Sequence, residues 1–91
     1  MTSGSKAPGA LAVRVLLFAS YAEQAGRESL ELMVPAPATV QDVLDRLRAS
    51  LPGADRLPAT PLAAVNQAHA RLSAPVANGD EIAFLPPLAG G

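Results

Sequence analysis

A chain of 91 residues with a formal net charge of −1 and 49% hydrophobic content is expected to form one domain with one modest core. Charged residues make up 16% and form no basic cluster, which argues against disorder and makes nucleic acid and anionic membranes poor partners. There is no cysteine, which excludes disulfides, thiolate metal sites and a cysteine nucleophile together and fits a cytoplasmic setting.

The N-terminal MTSGSKAPGA is small and polar and lacks the apolar run of a signal peptide, so residues 1–10 read as a disordered leader. Residues 11–19, LAVRVLLFA, are apolar and β-branched with one charge, Arg14, the pattern of a mostly buried strand. SYAEQAG follows as a short helical turn closed by Gly26. RESLELMV then alternates: Leu30, Leu32 and Val34 on one side, Ser29, Glu31 and Met33 on the other. Pro35 and Pro37 stop this strand.

Thr39 opens the one long helix, with Asp42 at its third position near the positive helix end. Val40, Val43, Leu44, Leu47 and Leu51 make a single apolar stripe. Asp42, Asp45, Arg46 and Arg48 form its wet face, and Asp42 and Arg46 are suitably spaced to interact. Pro52 and Gly53 end the helix. After the loop GADRLPATP, LAAVN at 62–66 reads as a strand, with Asn66 and Gln67 closing a turn. Residues 67–79 are mixed, with Val76 a core contact and Asn78-Gly79 a turn signal through positive φ. DEIAFL, 80–85, is the last strand. Two strands, a helix and two more strands imply an α+β fold, a sheet with the helix on one face.

Little in the chain suits catalysis. His69, Lys6 and Tyr21 are each the sole residue of their type. His69 lies in AHARLSA and reads as a solvated surface residue, so no self-contained active site and no metal site are expected. Arg56 and Arg71 are candidates to meet an acidic partner surface. The unusual feature is the ending, FLPPLAGG. The six residues Pro86, Pro87, Leu88, Ala89, Gly90 and Gly91 reach at most about 20 Å. Gly90 and Gly91 lack a Cβ, which suits passage through a narrow channel. Ordering such a tail costs up to about 6–12 kcal/mol, less where the prolines are already restricted. An exposed apolar patch beside the tail exit is therefore expected, to offset that cost through a partner.

LAAVNQ at 62–67, NGDEIAFLPP at 78–87, the terminal Gly90-Gly91 and VLLFASYAE at 15–23 together resemble the MoaD/ThiS family of ubiquitin-like sulfur carriers, and within it the molybdopterin synthase small subunits. The resemblance implies a β-grasp fold over 11–85, a mixed sheet of four to five strands with one main helix, and a flexible tail at 86–91. It implies that a MoeB-like, ubiquitin-activating-type enzyme uses ATP to adenylate Gly91, which a sulfur donor converts to a thiocarboxylate. The tail would enter a MoaE-like large subunit in a heterotetramer and give sulfur to cyclic pyranopterin monophosphate. The carrier itself would bind no cofactor and supply no catalytic side chain. By the same resemblance Phe18, Leu62, Leu85 and Pro86 are the candidate interface. The alternatives are a carrier of thiamin thiazole synthesis, another sulfur carrier or protein modifier, and a plain β-grasp binding module.

Overall fold

The computed structural model describes residues 9–54, 57–58 and 60–86. In chain order the elements are β1 (Ala10–Leu17), α1 (Ser20–Ala25), β2 (Ser29–Pro35), β3 (Ala38–Thr39), α2 (Val40–Ser50), β4 (Leu62–Val65), β5 (Ala68–Ala70), β6 (Pro75–Val76) and β7 (Glu81–Leu85). Five strands form one mixed sheet in the order β2-β1-β7-β4-β5, and β3 pairs with β6 in a two-stranded ribbon. Central β1 and β7 run parallel, Val15 beside Ile82, and the other pairs are antiparallel.

Strand alternation assigns the two sheet faces. Val13, Val15 and Leu17 of β1, Leu32 and Val34 of β2, Ala63 of β4, and Ile82 and Phe84 of β7 are buried in one cluster. Val40, Val43, Leu44 and Leu47 of α2 belong to the same cluster and are completely enclosed. Each such leucine contributes roughly 1.5–3 kcal/mol by burial, which outweighs any helix-propensity difference along α2. The helix begins in a capping box. The Asp42 N–H donates to Thr39 Oγ1 at 3.3 Å, and Asp42 Oδ2 accepts from the Thr39 N–H at 2.8 Å and its hydroxyl at 3.1 Å. The Asp42 carboxylate is thus engaged at the helix start rather than with Arg46, because the unpaired amides of the first turn compete for it.

Several boundaries differ from the sequence expectation. β1 begins at Ala10, which is held opposite Pro35 of β2. It ends at Leu17, because Phe18 and Ala19 turn the chain into α1: the Tyr21 N–H donates to the Phe18 carbonyl at 3.0 Å and Ala19 takes φ 52°. The mixed stretch 67–79 holds β5 and β6. Asn66 and Gln67 take φ of 51° and 73°, as a two-residue β4–β5 hairpin turn requires. Between β6 and β7, only Gly79 has positive φ; Asn78 instead accepts the Ala12 N–H on its Oδ1 at 2.9 Å. That bond ties the loop to the middle of the sheet.

Candidate functional site

The face of the sheet opposite α2 is uncovered among the described residues. It has a polar end and an apolar end. At the polar end, register places Arg14 of β1 between Glu31 of β2 and Glu81 of β7. Beside them the β4–β5 turn is fastened to the start of β7. Asn66 Nδ2 donates to Asp80 Oδ1 at 3.0 Å, and Asn66 Oδ1 accepts the Glu81 N–H at 3.0 Å. Asp80 Oδ2 in turn accepts the Ala77 N–H at 2.8 Å. The Asn66 and Asp80 side chains are thus engaged within the fold, in line with a turn role.

The apolar end lies where β1 and β7 finish and β4 begins. Leu62 and Leu85 stand directly opposite each other across β4 and β7. Leu62 is 44% exposed and Phe18, just past β1, is 45% exposed, so neither belongs to the core. Leu85 and Pro86 are half-buried. The structure thus brings the four named interface candidates to one end of the sheet, and Pro86 is the last described residue there. Gly91 lies outside the described residues, with Pro87, Leu88, Ala89 and Gly90. Arg56 also lies outside them.

Between the two ends is a cleft of about 320 Å³. Its floor is Ala64 and Ala83, paired across β4 and β7. Leu16, Phe18 and Leu85 border it on one side, and Gln67, His69 and Glu81 complete the rim. His69 is exposed, as its sequence context suggests, yet its ring borders an apolar depression. Sequence reading missed Ala64 and Ala83 as surface features and did not place His69 beside them. The signal was present in the alternation: Leu62, Ala64, Ala83 and Leu85 share the parity opposite to buried Ala63, Ile82 and Phe84. Among the described residues no group of His, Asp and Glu is placed to hold a metal ion. No helix of the described residues is long and apolar enough to cross a membrane.

The ThiS family matches residues 15–91, from the middle of β1 to the last glycine. The chain belongs to the ThiS family. Among its relatives, the molybdopterin synthase sulfur carrier subunit of Arabidopsis thaliana is 35% identical over 79 residues, covering 87% of this chain and 82% of that protein. The subunit of the same name from Chlamydomonas reinhardtii is 35% identical over 81 residues, covering 87% and 98%. Among solved structures, SAMP1 from Haloferax volcanii superposes with a TM-score of 0.77 at 33% identity, covering 88% of this chain and 99% of that one. The β-grasp architecture is thus a ThiS-family fold, with the sheet, its order and α2 as described.

Proposed function

We propose that the chain is the sulfur carrier subunit of a molybdopterin synthase. The observation that carries the reading is the likeness, over most of both chains, to relatives bearing that name. The uncovered apolar end of the sheet supports it, because β7 runs through that end toward the tail.

In this reading the terminal carboxyl of Gly91 is the reacting group. A C-terminal carboxyl ionises near 3.3–3.7, so at neutral pH it is an anion and a poor electrophile. A MoeB-like enzyme joins it to AMP from ATP, releasing pyrophosphate. A sulfur donor then displaces AMP and leaves a thiocarboxylate whose sulfur is nucleophilic. The large subunit receives the tail while Phe18, Leu62, Leu85 and Pro86 dock against it. Sulfur passes to cyclic pyranopterin monophosphate, and water oxygen restores the Gly91 carboxylate. Two such transfers complete the dithiolene, which suits a heterotetramer with two carriers. The acids, bases and cations come from the partners, consistent with the small chemical inventory of this chain. A cytoplasmic location is part of the same reading.

A second reading, a protein modifier joined through Gly91 to lysine amines, is favoured by the likeness to SAMP1, a small archaeal modifier protein. Intact-mass measurement separates the two. With activating enzyme, ATP and a sulfur source, the carrier exchanges one oxygen for sulfur, and adding the large subunit and cyclic pyranopterin monophosphate reverses the exchange as molybdopterin forms. A chain lacking Gly91, or extended by one residue, stays uncharged. Failure of the native chain to acquire sulfur, or conjugates to protein lysines as the only product, overturns the proposal.

A further inference from the structure

Asn78-Gly79 reads as a turn, yet only Gly79 has positive φ, and the Asn78 side chain is committed to a bond with β1. An asparagine followed by glycine is also a chemical weak point. The glycine nitrogen, unhindered by a neighbouring side chain, attacks the asparagine Cγ, closes a succinimide and expels ammonia. Water then opens the ring at either carbonyl. One product is aspartate; the other, which predominates, is isoaspartate, whose main chain runs through the former side-chain carbonyl. We propose that Asn78 is a self-modification site of this kind, held shut in the folded chain by a clamp on Ala12 and opened when the β6–β7 loop lifts off β1. This chemistry is independent of the tail.

The clamp follows from the sheet. The Leu17 N–H donates to the Glu28 carbonyl at 2.8 Å, so the alternation of an antiparallel ladder directs the odd-numbered residues of β1 to β2. The N–H and carbonyl of Ala12 face the other way, where β7 begins only opposite Arg14. Asn78 and Gly79 supply both partners that Ala12 would otherwise lack. Asn78 Oδ1 accepts the Ala12 N–H at 2.9 Å, and the Gly79 N–H donates to the Ala12 carbonyl at 2.7 Å. The electrophile and the nucleophile of the ring closure are thus fixed on the same residue of β1. Ring closure needs the Gly79 nitrogen deprotonated and the Asn78 side chain turned back upon it, and each step breaks a bond to Ala12. Asn78 and Gly79 are both exposed, so bonding rather than burial protects them, and water is at hand once the loop opens. Asp80 holds the loop down: its Oδ2 accepts the Ala77 N–H at 2.8 Å and its carbonyl accepts the Arg14 N–H at 2.9 Å. Asn66, the only other asparagine, precedes the bulkier Gln67 and has its side chain bonded to Asp80 and to the Glu81 N–H. The two products differ in consequence. Aspartate at 78 keeps an oxygen for the Ala12 N–H. Isoaspartate lengthens the main chain by a methylene before Gly79, so the clamp and the Arg14–Asp80 bond fall out of register just ahead of β7 and its buried Ile82 and Phe84.

The test is ageing of the full-length chain at mildly alkaline pH, folded and in urea, followed by intact-mass measurement and peptide mapping. The urea sample exchanges NH2 for OH at Asn78 and not at Asn66. The folded sample reacts at least about tenfold more slowly, because only molecules with the loop open react. Asp80→Ala, confirmed as folded by circular dichroism and normalised to its own rate in urea, reacts at least about threefold faster than the folded native chain, because its loop opens more often. Asn78→Asp melts within about 3 °C of the native chain, and a synthetic chain with isoaspartate at 78 melts at least about 5 °C lower. A folded native chain that reacts as fast as the urea sample, or faster, overturns the clamp; the Ala12 N–H would then be assisting attack by polarising Oδ1. A folded Asp80→Ala chain that ages like the native one overturns loop opening as the gate. An isoaspartate chain that melts with the native one overturns the consequence for β7. Reaction at Asn66 ahead of Asn78 in urea, or at neither, overturns the site itself.

Discussion

Gly53, just beyond α2, is packed against α1. A Cβ there would stand 2.1 Å from the Gln24 carbonyl oxygen, and the backbone φ is +90°. Gly26 has a similar φ of +77° but open space around it. The pair separates two costs. Gly26→Ala should lose about 1 kcal/mol, the backbone penalty alone. Gly53→Ala should lose roughly 3 kcal/mol or more, since α1 must also shift. Urea unfolding of both variants checks this, and equal losses would mean that α1 moves aside freely. Tyr21 presents a different case. It is 4% exposed, and its hydroxyl is enclosed without a hydrogen-bond partner among the described residues. Burial raises its pKa above the ordinary 10.0. The unfolded chain therefore loses this proton at lower pH than the folded one, and the associated stability, present below pH 10, declines as pH rises toward the folded pKa. Tyr21→Phe should match or slightly exceed the native chain at neutral pH and lose less stability as pH rises from about 9 to 11. The only tyrosine of the chain reports its own ionisation by ultraviolet difference spectroscopy.

At the scale of elements, α2 depends on its first turn as well as on its buried stripe. Thr39 and Asp42 satisfy amides that would otherwise be unpaired, and Thr39 belongs at once to β3 and to the helix cap. Thr39→Ala should cost about 1–2 kcal/mol, and Thr39→Ser, which keeps the hydroxyl, a few tenths. Denaturant midpoints measure the difference, and equal losses would assign the effect to the β-branched side chain rather than to capping. This helix was legible in the sequence because a stripe of five apolar residues and a cap reinforce each other. The long strands were legible through alternation or sustained apolar character. β3, β5 and β6 were not, because two or three residues cannot display a period; tertiary pairing defines them, Ala38 against Val76 and Ala64 against His69. The candidate interface shows the same division. Phe18, Leu62 and Leu85 were named through family likeness, and exposure agrees for Phe18 and Leu62. Alternation puts Ala64 and Ala83 on the outer face, but that they meet as one floor was illegible until the β4–β7 register paired them.

At the scale of the whole fold, the described residues form a sheet with unequal faces, one covered by α2 and one open at its apolar end. That asymmetry makes adjacent residues of one short strand respond oppositely to the same substitution. Ala63 points into the core and is 4% exposed, while Leu62 points outward and is 44% exposed. A glutamate at 63 would carry an unpaired charge among Phe84, Ile82 and the α2 leucines. The cost, several kcal/mol, is a large part of the roughly 5–15 kcal/mol that holds a small domain folded. A glutamate at 62 stays in water and should change stability by about 1 kcal/mol or less. In the proposed assembly Leu62 and Leu85 form a desolvated pair at the large-subunit contact, so Leu62→Glu should weaken binding by at least about 30-fold, the loss of one hot spot. Circular dichroism melts and titration with the large subunit read the two properties separately. Ala63→Glu is expected to unfold, and Leu62→Glu to remain folded but fail to dock. If folded Leu62→Glu binds with native affinity, the partner sits elsewhere, and the open face then has no part in presenting the tail.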